Sequence, residues 1–321
     1  MSCLLFKLSF DAPVHFGPPD GALSLYSSEE HFRADTLFSA LCHTALRTGG
    51  PDALERLCSS ARGGQLRFSD AMPWRGETFS LPKPFISAET AQDIPAQLRK
   101  AVKKLKRIPV PAFEAFSLSV RGGTPFVPQE KDGFGIHQAF AKAAVSEGAD
   151  AMPYEVGTFR FFDNCGLWFL CLCRDEDAQW LEKLVASLGH SGIGGKISSG
   201  YGSFHVEDLI DLDAPFDGQT QWLAEALHQK GESQLLLTTC LPDDDELDDI
   251  IASASYQLVR RSGFIQSETY SPEPLKKETQ VFLAAGSVVK KRFRGTLFEV
   301  GNKGAHPVLR YSQPVFLGVS L

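Results

Sequence analysis

His190-Ser-Gly-Ile-Gly-Gly-Lys-Ile-Ser-Ser-Gly-Tyr-Gly-Ser-Phe204 concentrates more backbone freedom than any other stretch of the chain, with six glycines between Gly189 and Phe204, at 189, 192, 194, 195, 200 and 202. Glycine admits positive φ and lets another backbone approach, so the run is either a tight connection between two elements or a loop shaped around a ligand. Amides such as those of Gly194, Gly195 and Gly200, the hydroxyls of Ser198 and Ser199 and the Lys196 ammonium are the donors a phosphate oxygen needs. Tyr201 offers a flat surface for a base. Three familiar glycine motifs fail. A Walker loop needs glycine at 190 and a hydroxyl after the lysine, where the chain has His190 and Ile197. A dinucleotide fingerprint begun at Gly192 meets Ile197 where its third glycine belongs. Gly200-Tyr-Gly-Ser-Phe-His-Val206 has one residue too many for the aromatic strand of an RNA-recognition module.

Working outward, residues 175 to 188 repeat Trp180, Leu181, Leu184, Val185 and Leu188 at helical spacing, and residues 202 to 209 read as a strand. Before that helix, Asp163-Asn164-Cys165-Gly166 reads as a hairpin turn between two apolar runs. At the start of the chain Leu4, Phe6, Leu8 and Phe10 alternate as in a strand. Asp35 is a suitable N-cap for a helix from Thr36 to Arg47, ended by Gly49-Gly50-Pro51. A short helix over 52 to 61 and a strand over 65 to 71 follow. From Pro73 to Pro153 lie nine of the nineteen prolines without clear alternation, which predicts an insertion projecting from the domain. The order strand, helix, strand, insertion, strand, helix, strand is the ferredoxin-like βαββαβ unit.

A weaker copy begins after an acidic connection at 211–233, with a strand near 234–241, a helix near 243–254 and strands near 256–262, 280–285, 291–300 and 315–321. The expected fold is therefore α+β, with tandem ferredoxin-like (RRM-like) domains over 1–210 and 234–321 and a long inserted thumb over 73–153.

Composition supports an ordinary globular chain, with 321 residues, 43% hydrophobic and 22% charged. No apolar run reaches membrane-spanning length, and the N-terminus lacks the pattern of a signal peptide, so the cytoplasm is expected. Seven cysteines form no CxxC pair. Cys171 and Cys173 share one strand face, but no second ligand pair is near, so neither a metal nor a cofactor is expected. The net charge of −7 argues against nucleic acid until its distribution is considered. Residues 207 to 249 hold thirteen acids against one lysine, whereas residues 256 to 310 hold ten Lys or Arg against four Glu. Such polarity suits a polyanion on one face and a basic partner on another, and equally two solvated surfaces. Arg99 to Lys106 and Arg107 add six bases in nine residues.

Val14-His-Phe-Gly17, Ala34-Asp-Thr-Leu-Phe-Ser-Ala-Leu-Cys42, the glycine loop and Ala305-His-Pro-Val-Leu-Arg310 together resemble the RAMP proteins of CRISPR systems, and more narrowly the fourth Csm subunit of type III-A effector complexes. The resemblance covers nearly the whole chain. It implies a non-catalytic subunit of a hetero-oligomer that grips the 5′ handle of the CRISPR RNA and docks on the large polymerase-like subunit. Its thumb, residues 73–153, would contact the first backbone subunit. Lys196, Ser198, Ser199 and Tyr201 would lie along the handle, and the resemblance extends to His15, Arg33 and Ser39. Arg260, Arg261, Lys290, Lys291, Arg292 and Arg294 would continue the positive track, with Arg292 and Arg294 on one face of a strand. Two alternatives stay open. One is a metal-independent RAMP endoribonuclease using His15 or His31, with Tyr201 or Lys196 stabilising charge; the other is a protein scaffold that never touches RNA.

Overall fold

The computed structural model describes every residue except 19–23, 87–95, 130–132, 145–151, 230, 268, 272, 274, 302 and 303. Parts of the expected insertion, and Lys230 and Lys303 of the charge count, lie outside the described residues. β1 (Ser2–Phe10) leads to α1 (Ala34–Arg62), which bends at Gly50 (φ 72°). β2 (Arg67–Phe68), β3 (Met72–Arg75), β4 (Thr78–Pro82), α2 (Ala96–Lys104), β5 (Arg107–Pro109) and α3 (Phe113–Val120) follow. Then come β6 (Gly135–Ala144), β7 (Met152–Phe161), β8 (Cys165–Cys173), α4 (Ala178–Ser191) and β9 (Phe204–Asp211). The remainder gives α5 (Gly218–His228), β10 (Ser233–Leu236), α6 (Asp244–Ile251), β11 (Leu258–Arg261), β12 (Gln280–Leu283), β13 (Val288–Val289), β14 (Leu297–Glu299), β15 (Leu309–Tyr311) and β16 (Phe316–Val319).

The chain is a mixed α/β structure of antiparallel sheets, with six α-helices among the described residues. The main sheet runs β5-β4-β3-β8-β1-β9, and β2 also pairs with β8. β1 lies between β8 and β9 and is buried on both faces. Its even residues Leu4, Phe6 and Leu8 join a core with α1 and α4. Cys3 and Leu5 join a second core built with α5, β10 and β16. Each large apolar side chain so buried contributes about 1.5–3 kcal/mol. Because the second core draws on both ends of the chain, the sequence after β9 packs against the sheet that precedes it.

Helix α1 starts two residues before the expected Thr36, with Asp35 inside its first turn and not at the cap. Its first amide, that of Ala34, donates to Asp70 Oδ1 at 2.9 Å, so the cap comes from the β2–β3 connection. Thr239 also donates to Asp70, through its hydroxyl at 2.6 Å and its amide at 3.1 Å, which ties the later half to the same carboxylate. Burial outweighs these bonds and pushes the Asp70 carboxyl up from its usual value.

Three expectations change. Residues 73–86 and 96–120 do not project, because β3, β4 and β5 extend the main sheet, and Trp74, Leu81, Ile108 and, on α3, Phe113 are buried in the second core. Prolines at strand edges interrupt the alternation that would have revealed this. What stands apart from the main sheet is the ribbon of β6 paired with β7. Secondly, the turn at Asn164 (φ 55°) joins strands that do not pair: β8 has β1 and β3 on its two sides, and β7 turns away to β6. Thirdly, the acidic connection holds α5, closed by a reciprocal capping box between Asp217 and Thr220. No helix among the described residues is long and apolar enough to cross a membrane.

Candidate nucleic-acid interface

Helix α4 ends at Ser191, and the glycine stretch folds back onto residues 13 to 16. Gly195 N–H donates to His15 O at 2.8 Å, and Gly202 N–H to Pro13 O at 3.0 Å. A Cβ at Gly194 (φ 104°) would lie 2.7 Å from His15 O, and one at Gly195 2.6 Å from His15 Cδ2. These glycines therefore serve close packing first. Lys196 is a non-glycine residue in the left-handed region (φ 61°), and it opens a 3-10 turn over Ile197–Ser199. Its ammonium lies 5.2 Å over the Tyr154 ring of β7.

Beside this loop is a cleft of about 660 Å³ between the first half of α1, the glycine loop and the later part of the chain. Of the predicted residues, His15, Arg33, Ser39, Gly194, Gly195, Lys196, Ser198 and Arg261 line it. The buried His15 ring donates from Nδ1 to Gly157 O at 2.6 Å, which fixes Nε2 as the acceptor. Ser199 and Gly200 are exposed at the far side of the turn.

The charges inside are largely paired. Arg33 grips Glu29, with Nη2 donating to Oε1 at 3.0 Å. Arg261 donates to both oxygens of Asp35, at 2.8 and 3.0 Å. Burial pushes the Asp35 carboxyl up, but the Arg261 guanidinium, helped by Lys277 and Arg310, wins and holds it below the usual range. Arg310 is 3% exposed and donates to the carbonyls of Arg261 and Glu278.

Among the other cleft residues, Lys277 and His43 were not picked out from sequence, whereas His31 was a candidate only in the nuclease alternative. Lys277 has its ammonium pushed down by burial and by Arg310 and Arg261, against the pull of Asp35. His43 is held low by burial, Lys277 and Arg47. His31 is held well below its ordinary value by burial and by Arg33 and Arg107, and its Nδ1 is buried with no partner among the described residues. The helical repeat places Ser39 and His43 one turn apart on α1, a signal present in the sequence. Lys277 carries no local signal, because it reaches the cleft through long-range packing.

Two expectations fail here. Tyr201 is only 8% exposed, its ring against Phe140 and under the Lys142 ammonium, so the ribbon already covers it and it is no open platform for a base. The track of Arg260, Lys290, Lys291, Arg292 and Arg294 does not reach the cleft. Residues 290 to 296 are not a strand. The Arg292 guanidinium is bound to Gln234 Oε1 at 2.7 Å and to the carbonyls of Leu227 and Gln229 at 2.9 Å, closing the end of α5. Lys291 pairs with Asp249 at 3.3 Å, and Lys290 donates to Ser233 Oγ at 3.4 Å. Arg294 is exposed, with its amide on Glu246 Oε2. Arg260 is exposed on the strand face opposite to that of Arg261.

Residues 229–319 match the family model described as the CRISPR Csm4 C-terminal domain. The chain is 37% identical over 320 residues to the CRISPR system Cms protein Csm4 of Mycobacterium tuberculosis (strain CDC 1551 / Oshkosh), covering 99% of this chain and 98% of the relative. It is 28% identical to the protein of the same description from Streptococcus thermophilus, covering 98% of each. Among solved structures, the fold is similar to a chain of a Csm3–Csm4 subcomplex of the type III-A CRISPR-Cas interference complex, at TM-score 0.64 and 17% identity over 99% of both chains. It is also similar to a chain of a Csm1–Csm4 cassette in complex with pppApA, at TM-score 0.63 and 21% identity over 100% of this chain and 99% of that one.

Proposed function

The chain belongs to the Csm4 family of CRISPR proteins, and we propose that it is the non-catalytic subunit that holds the 5′ handle of the CRISPR RNA in a type III-A complex. Its partners would be a large polymerase-like subunit and a backbone subunit, the kinds of protein with which relatives are found as Csm1–Csm4 and Csm3–Csm4 assemblies. The chain would act in the cytoplasm, as two ferredoxin-like halves: the β3-β8-β1-β9 part of the main sheet with α1 and α4, and a reduced second half after the acidic connection. The β6–β7 ribbon is the candidate thumb.

The observation that carries the proposal is the convergence of Gly195, Lys196 and Ser198 with Ser39 and His43 of α1 and with Lys277 in one polar cleft. The Lys196 and Lys277 ammoniums, the Ser39 and Ser198 hydroxyls and the His43 ring are the kinds of group that bind phosphates and the edges of unstacked bases. Since Arg33 and Arg261 are already paired, Lys196 and Lys277, with Arg47, supply the charge that a phosphate would meet. Catalysis is not proposed: His31 and His43, both held low by burial, are poor general acids at neutral pH.

The experiment is co-expression of the tagged chain with the neighbouring genes, followed by sequencing of the 5′ ends of the retained RNA. A common repeat-derived end, lost with Lys196→Ala and Lys277→Ala together, is expected. An intact assembly without RNA would favour the scaffold, and shortened repeat RNA made by the purified chain alone would favour the nuclease.

A further inference from the structure

At the start of β1, three metal-ligating side chains from three separate elements converge. Cys3 lies on β1, Asp213 in the turn after β9, and His228 is the last residue of α5. One ligand atom from each lies within 4.8 Å of the others. Main-chain bonds hold two of the three in register. Leu212 N–H donates to Cys3 O at 2.8 Å, Cys3 N–H to Asp213 Oδ2 at 3.2 Å, and Asp213 N–H to Asp211 Oδ1 at 3.0 Å. His228 Nε2 stands 3.9 Å from Asp213 Oδ1, wider by roughly half an ångström than two ligands of one tetrahedral zinc ion.

We propose that Cys3, Asp213 and His228 form a zinc site whose fourth position is open to water or to a partner's side chain. The donor set selects the metal class. One thiolate, one imidazole and one carboxylate suit zinc, whereas calcium and magnesium take oxygen ligands almost entirely. A bound dication would release the Cys3 thiol proton to solvent, stabilise the thiolate and take the Asp213 carboxylate as a ligand.

Access fits as well. The Cys3 residue is 4% exposed, but the side chains of Asp213 and His228 are 43% and 69% exposed, so the ion enters from solvent and closes over the thiol. Bound there, it joins β1, the turn after β9 and the end of α5. The last of these packs on β16, so the ion would fasten the early sheet to the late one.

The test titrates Co²⁺ into the full-length chain after treatment with a chelator, followed by competition with Zn²⁺. A sulfur-to-cobalt charge-transfer band with tetrahedral d–d bands, displaced by zinc, is expected. Cys3→Ser abolishes the charge-transfer band. His228→Ala and Asp213→Asn, both at exposed side chains, weaken cobalt affinity by about tenfold or more while leaving the circular dichroism unchanged. These two variants decide the matter even where Cys3→Ser does not fold. Cobalt bound without a charge-transfer band, or bound equally by wild type and the His228→Ala and Asp213→Asn variants, would overturn the proposal, as would no binding at all.

Discussion

Asp35 and Arg261, separated by 226 positions, meet in the wall of the cleft with two hydrogen bonds of 2.8 and 3.0 Å and side-chain exposures of 13% and 12%. The pair fastens the first turn of α1 to β11. Breaking a buried pair leaves an uncompensated charge, so Asp35→Ala or Arg261→Ala alone is expected to cost about 3–5 kcal/mol. The double variant is expected to cost less than the sum of the two. Chemical denaturation of the four proteins measures this, and additive losses would mean that the two side chains do not interact.

Lys196 allows binding to be separated from stability. Its left-handed backbone is strained for any residue with a Cβ. Lys196→Gly removes that strain at some cost in chain entropy, so a gain of about 0.5 kcal/mol is expected together with weaker RNA binding. Loss of both stability and binding would indicate a structural lysine.

Salt dependence counts the phosphate contacts. Each of Lys196→Ala and Lys277→Ala is expected to reduce the slope of log affinity against log salt by about 0.7, the value for a single strand. The same measurement on Lys291→Ala is expected to give the wild-type slope, since that lysine pairs with Asp249 outside the cleft.

Tyr201 tests the covered platform. Truncating a buried aromatic side chain costs about 3–5 kcal/mol, so Tyr201→Ala is expected to be strongly destabilising. Tyr201→Phe keeps the packing against Phe140 and is expected to retain RNA binding. Binding lost in Tyr201→Phe with stability unchanged would return the ring to a direct role.

His31 and His43 both sit below the ordinary histidine value of 6.5. The unfolded chain therefore takes up protons first as the pH falls, so their contribution is present above 6.5 and declines below it. Urea denaturation at about pH 7.5 and about pH 5.5 is expected to show lower stability at the acidic pH. The difference is expected to shrink in His31→Gln.

Much of the frame is local in the sequence. Period-two alternation marked β1, period 3.6 marked α4, and the glycines marked the connection to β9, because each depends on neighbours within a few positions. β3, β4 and β5 misled because Pro73, Pro82 and Pro109 break the alternation of strands in which Met72, Trp74, Phe79, Ser80, Leu81 and Ile108 are buried. The candidate site divides likewise. Lys196 and Ser198 were picked out by residue type and loop chemistry, and His15 and Ser39 through the family resemblance. The neutralisation of Arg261 by Asp35, the closure of α5 by Arg292 and the arrival of Lys277 each depend on a residue far away in the chain. The pairing of Arg33 with Glu29 is the exception, since it spans only four positions.

The most direct measurement is photocrosslinking of a repeat-derived RNA carrying 4-thiouridine within its 5′ handle to the full-length chain, with the attached peptides mapped by mass spectrometry. Crosslinks in residues 15–17, 36–47, 194–198 and 277 are expected, weakened by an unlabelled handle RNA and not by an unrelated RNA of equal length. Crosslinks confined to residues 290–294, or competed equally by both RNAs, would contradict handle binding in the cleft.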